Sequence, residues 1–118
     1  MSEIAQPRRI AFDGLAFAPR FEHGDKASVA VATGPKDGSR LGTGFARFDG
    51  AAIPWTVRYD EVILVLEGRL VVETAAGTLE AGPRDCIWLP RGTELRYVSE
   101  DALVFYAIEP ANWAEGHA

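Results

Sequence analysis

Short runs of β-favouring residues, broken at near-regular intervals by Gly, Pro and Asp, cover most of this chain. They span residues 27–33, 41–48, 55–66, 69–74, 85–89, 94–98 and 102–108. The Val, Ile, Thr and aromatic residues in them suit a pleated, half-buried surface. Between them lies turn chemistry: Gly34-Pro-Lys-Asp-Gly38, Asp49-Gly50, Glu67-Gly68, Ala75-Ala-Gly77 and Pro90-Arg-Gly92. No stretch keeps a helical period over three turns. The tail at residues 110–115 is a weak helical candidate, too short to stand alone. The pattern predicts an all-β sandwich or closed barrel.

The run at 61–66 is apolar on both faces. In an alternating strand Glu61, Ile63 and Val65 share one side, and Val62, Leu64 and Leu66 share the other. Residues 102–108 repeat the pattern. A strand of a lone barrel should turn one face to water, so the outer face should be covered. The expected cover is a second sheet or a second subunit, which predicts a homodimer. The alternative cover is the chain's own N-terminal segment.

At 118 residues the chain fits one domain, taken as residues 1–118. A net charge of −5 argues against nucleic acid as a partner. The one adjacent basic pair, Arg8-Arg9, reads as a solvated arm. The single cysteine, Cys86, allows no disulfide within the chain and fits a reduced setting. It reads as a buried small hydrophobe, because no histidine adjoins it in sequence to activate it. No apolar run approaches the ~18 residues of a membrane span. The N-terminus lacks the pattern of a secretory signal. The expected location is therefore the cytoplasm, with no membrane partner.

Glu61 followed by Gly68 is similar to the end of the first cupin motif. Gly82, Asp85 and Pro90-Arg-Gly92 are similar to the second. The motifs lie at about residues 54–68 and 82–97. A closer resemblance is to the cupin domain of the EutQ-like ethanolamine-utilisation family. It rests on Gly42-Thr-Gly-Phe45, Pro54-Trp-Thr-Val-Arg-Tyr-Asp-Glu61, Pro90-Arg-Gly92 and Pro110-Ala-Asn-Trp113. It runs over about residues 41–113, without the N-terminal region of longer members. The resemblance implies an all-β cupin jelly-roll barrel. It also implies a link to ethanolamine or two-carbon catabolism.

In ordinary cupins two histidines precede the motif glutamate and a third follows the second-motif glycine. Those positions here are Trp55, Val57 and Leu95. None of the three offers a metal donor, and a transition metal wants several. The expectation is no metal and no cofactor. The two histidines, His23 and His117, lie off the signature strands; His23 reads as solvated and His117 as part of a disordered end.

Trp55, Val57, Tyr59 and Glu61 share one parity. If Glu61 points inward, as the resemblance implies, Trp55, Val57 and Tyr59 line the same pocket. Leu95 and Tyr97 should join from the opposite strand. Trp88 and Trp113 read first as packing anchors, with pocket wall the alternative for each, and Trp88 is counted among the pocket candidates. The expected pocket is apolar and aromatic, holds one carboxyl, and suits a small organic ligand with a polar handle. Burial would raise the Glu61 pKa, and a phenol donated by Tyr59 or Tyr97 would lower it again. Glu61 and Tyr59 are thus the candidate catalytic pair. Glu61 held structurally by hydrogen bonds is the alternative. Asp60 faces away from Glu61 and cannot share its substrate. Gly42-x-Gly44 does not open a helix, so it reads as a bulge or close backbone contact rather than a phosphate loop.

The expected function is metal-independent binding, with or without transformation, of a small polar metabolite. Two alternatives stay open. One is a non-catalytic dimeric interaction or microcompartment-assembly module. The other is a metalloenzyme using Glu61 with Tyr59 or Tyr97.

Overall fold

The structure is a computed structural model in which residues 6–19, 27–50 and 52–114 are described. His23 and His117 lie outside the described residues. The strands are β1 (Ala18–Pro19), β2 (Ala27–Thr33), β3 (Gly42–Asp49), β4 (Ile53–Thr56), β5 (Asp60–Thr74), β6 (Gly77–Ala81), β7 (Cys86–Leu89), β8 (Glu94–Tyr97) and β9 (Asp101–Glu109). Two single-turn 3-10 segments, Phe12–Gly14 and Pro35–Asp37, are the helical elements among the described residues. The tail forms turns at residues 111–114 and not a helix.

Every strand pair is antiparallel. One sheet runs β1-β2-β3-β9-β5-β7. The other runs β6-β5-β8-β4, so β5 belongs to both. Curling of the sheet around β5 brings the inward faces together and makes the all-β jelly roll expected from the sequence.

The chain divides the run 55–66 differently from expectation. β4 ends at Thr56 and β5 begins at Asp60. The gap has a hydrogen-bonding cause. β4 pairs with β8 in the second sheet, whereas Asp60 pairs with Glu109 in the first. Between them Val57 bonds to the β7–β8 turn: its N–H donates to Thr93 O (2.9 Å) and its carbonyl accepts from Gly92 N (2.8 Å). Asp60 clamps the same turn, its Oδ1 accepting from Arg91 N at 3.0 Å.

Glu67-Gly68, read as a chain reversal, is instead a bulge within the 15-residue β5. Val65 pairs with Val104 and Glu67 with Leu103, so Leu66 is an extra residue. Gly68 takes φ +77°, and a Cβ there would collide with the carbonyl oxygen of Asp101. The extra residue reverses the parity of the strand. Before the bulge Glu61, Ile63 and Val65 face inward; beyond it Leu70 and Val72 do. Val65, Leu70 and Val72 are all fully buried. They join Ile53, Val57, Leu89 and Val104 in one core between the sheets. Phe48 from β3 meets Tyr97 from β8 across it, ring centres 5.1 Å apart.

The outer face is covered in part by the N-terminal segment. Phe12 packs edge-on to Phe45 (5.0 Å), and Phe45 to Phe105 (5.2 Å). The Arg47 guanidinium lies 5.2 Å from the Phe17 ring centre. The cover stops short of β7: Val62, Leu66 and Trp88 remain exposed, Trp88 by 68%. Cys86, on the same outer row as Trp88, is exposed rather than buried.

Gly68→Ala combines left-handed strain with a backbone collision. It should cost about 1–3 kcal/mol. The expected result is a lower urea midpoint at unchanged m-value.

Candidate functional site

A cavity of about 310 Å³, partly open to solvent, lies between the inner faces of the sheets. It is at the lower end of the ~300–1,000 Å³ typical of small-molecule sites. β5 places Glu61 and Ile63 in its wall, β4 Trp55, β8 Tyr97 and β9 Tyr106. Tyr59 enters from the β4–β5 crossing, and Trp113 from the turn after β9. That turn is tied down by Ala111 N–H donating to Arg40 O at 2.8 Å. Trp113 stands edge-to-face with Trp55 (5.8 Å, planes at 81°) and Tyr59 (5.1 Å, 61°). Steeply inclined rings make adjoining walls rather than a stack.

Glu61 is only 6% exposed, although it is a carboxylic acid on a strand. Its place follows from pairing. It sits opposite Leu89 on one side and Ile108 on the other, both inward-facing. Tyr106 pairs with Ile63, the next inward residue along β5. On its other side Tyr106 pairs with Gly44, which gives the phenol room. A Cβ on Gly44 would stand 2.5 Å from Tyr106 Oη and 2.6 Å from Ala30 O. The Gly42-x-Gly44 pattern is therefore a close-approach site in mid-strand.

At the rim, Thr33 and Thr43 hydroxyls share a 2.8 Å hydrogen bond. The turn bearing Gly34 and Pro35 is pinned by Asp37. Its Oδ2 accepts from Gly34 N (2.9 Å), and its Oδ1 pairs with the Arg8 guanidinium (2.9 Å). The Gly34 N–H and then Arg8 hold this carboxyl below its usual range.

The structure thus brings Glu61, Tyr59, Trp55 and Tyr97 to one cavity. Val57 and Leu95 are buried but outside its walls. Val57 sits where the chain leaves one sheet for the other, and Leu95 packs into the core from β8, opposite Trp55 on β4. Trp88 is neither wall nor anchor: it pairs with outward-facing Val62 on the opposite side of the sheet. Tyr106 is a wall that sequence reasoning left out, and Trp113, read first as a packing anchor, is a wall too. Tyr106 shares its alternation with Val104 and Ile108, which was a usable signal. Trp113 lies beyond the last strand, where alternation gives none.

The donor set does not fit the usual cupin metal centre. Of the three positions that hold histidine in ordinary cupins, Trp55 lines the cavity, while Val57 and Leu95 face the core without a donor atom. No group of three or more His, Cys, Asp or Glu side chains stands together among the described residues.

A curled antiparallel jelly roll with its site between the sheets, at the first-motif glutamate, defines a cupin. A solved RmlC-like cupin from Shewanella frigidimarina shares this fold at TM-score 0.69, with 15% identity over 98% of this chain and all of that one (100%). Within that class the chain belongs to the EutQ family, described as ethanolamine utilisation protein EutQ, whose model matches residues 17–115. It is 38% identical over 79 residues to acetate kinase EutQ of Salmonella typhimurium, covering 66% of this chain and 34% of that protein. The chain spans about a third of the length of that relative (34%). The crystal structure of an ethanolamine utilization protein Q from Salmonella typhimurium superposes at TM-score 0.70, with 32% identity over 73% of this chain and 71% of that one. The chain is thus a cupin of an ethanolamine-utilisation family. Among the described residues no helix is long and apolar enough to cross a membrane.

Gly44→Ala should push the Tyr106 phenol towards the cavity, because the Ala30 carbonyl on its other side is backbone. The expected cost is about 1–3 kcal/mol, read as a lower thermal midpoint. Tyr106→Ala should cost less in the Gly44→Ala background than in the wild type, and equal cost in both backgrounds would assign the Gly44→Ala loss to Ala30 instead.

Proposed function

We propose that the cavity binds a small polar metabolite of two-carbon amine or aldehyde catabolism, without a metal. The carrying observation is a buried carboxyl, Glu61, set in an aromatic-walled cavity at the motif position. Apolar walls supply the burial that drives binding, and a few fixed polar groups supply orientation. Glu61 and the Tyr59 phenol are the groups able to hold or exchange a proton with such a ligand. Family membership supports the metabolic setting. Cytoplasmic residence belongs to the same proposal.

Phosphoryl transfer is outside this proposal, although relatives are named acetate kinases. Gly42-x-Gly44 lies within β3 and opens no helix, so it is not a phosphate-cradling loop.

A thermal-shift panel of ethanolamine, acetate, acetone and glycerol tests the cavity. Ala46 lines it, so Ala46→Phe should fill it. At least one compound should stabilise the wild type and leave Ala46→Phe unmoved; binding at 100 Kd is worth about 2.7 kcal/mol. Equal responses from both proteins would remove the cavity from the function.

The outer face supports a second proposal. Val62, Leu66 and Trp88 form an exposed apolar row at the β5–β7 edge that the described N-terminal residues, 6–19, leave bare. We infer that a second copy of the chain covers it, in a homodimer. Trp88→Glu with Val62→Asp should convert the dimer to monomer in light scattering after size exclusion. A wild type that is monomeric at ~100 μM, a concentration that captures any dimer of Kd near 1 μM, would end the proposal.

A further inference from the structure

Glu61 shares its cavity with six aromatic side chains: Phe48, Trp55, Tyr59, Tyr97, Tyr106 and Trp113. Aromatic faces carry negative electrostatic potential, and so does a carboxylate. All these groups therefore attract the same kind of partner. Among the described lining residues there is no Lys, Arg or His. A positively charged organic group would meet favourable potential from several directions at once. Recognition of alkylated ammonium groups uses such aromatic boxes.

The ring geometry supports a box. Trp113 stands at 81° to Trp55 and at 61° to Tyr59, each edge-to-face. The arrangement brings together three separate segments: β4, the β4–β5 crossing and the turn after β9. The volume of about 310 Å³ limits the guest to a small molecule. Uncharged lining groups, the hydroxyls of Ser28, Thr33 and Thr43, can take a polar tail near the rim.

We propose that the preferred ligand class is a small organic monocation, an alkylammonium with a short polar tail, held by Glu61 and the aromatic box. The inference rests on the cavity-binding proposal above and names the charge of its ligand. Glu61 supplies the ionic contact. Trp55, Trp113 and the tyrosines supply cation–π contact and exclude water.

The test compares choline with 3,3-dimethylbutan-1-ol, its neutral carbon isostere, by titration calorimetry on the full chain at matched ionic strength. Wild type should bind choline at least tenfold more tightly than the alcohol. Glu61→Gln should weaken choline at least tenfold and leave the alcohol within threefold. Trp113→Leu, on the turn outside the sheets, should weaken choline severalfold and remain folded by circular dichroism. Equal affinity of wild type for both probes, or preference for the alcohol, overturns the cation proposal and leaves the cavity as a binding site. Binding of acetate alone has the same consequence. Silence from both probes overturns the cation proposal too. Silence from the metabolite panel as well would take the cavity proposal with it. The wild-type comparison decides the matter even if Glu61→Gln does not fold.

Discussion

One extra residue in β5 holds the architecture together. A strand that lies in two sheets must bend, and it must present its apolar side chains to the same core on either side of the bend. Plain alternation cannot do that here, because Val65 and Leu70 are an odd number of positions apart. Leu66 is the insertion that corrects the phase. Gly68 then lets the chain take a left-handed conformation against the Asp101 backbone. Without that bulge, burying Ile63 would expose Val72. The core and the cavity at its end both follow from the phase change.

The cavity exists because small residues stand where large ones would fill it. Gly42, Gly44 and Ala46 are the small members of the inward row of β3, which ends in Phe48. Their lack of bulk leaves room for rings from other strands, above all Tyr106 against Gly44. The rings give the site its walls and leave space between them. Burying a carboxyl in such surroundings is costly in stability. A fold that carries this cost at the position of the cupin motif is consistent with a site shaped for a ligand. The same reasoning explains why the ordinary cupin metal chemistry does not transfer. Two of the three positions in question point into packed core, where Val57 and Leu95 contribute burial and no donors.

The two faces of the sheet divide the labour differently. The inner face makes the core and the cavity. The outer face is apolar along β9 and the first half of β5 and at Phe45 of β3, and the described N-terminal residues protect it as far as Phe45 and Phe105. The row from Val62 to Trp88 is left to water. Exposed apolar rows on an edge strand favour association, which is why the second-copy proposal attaches to β7.

The sequence by itself determined the all-β class, most strand positions, the family resemblance and the inward parity of Glu61, Ile63 and Val65 within β5. Those features are local: they depend on period-two alternation, turn residues and short motifs. Tertiary structure decided the rest. Whether Glu67-Gly68 reverses the chain or bulges within a strand depends on β9 running past it, a pairing no local signal encodes. Trp88 and Val62 are adjacent across strands that lie far apart in sequence, so their shared exposure could not be read from either run. Trp113 reaches the cavity only because the turn after β9 folds back over the barrel end. Pairing between distant segments, and not the character of any one of them, selects which aromatic residues surround Glu61.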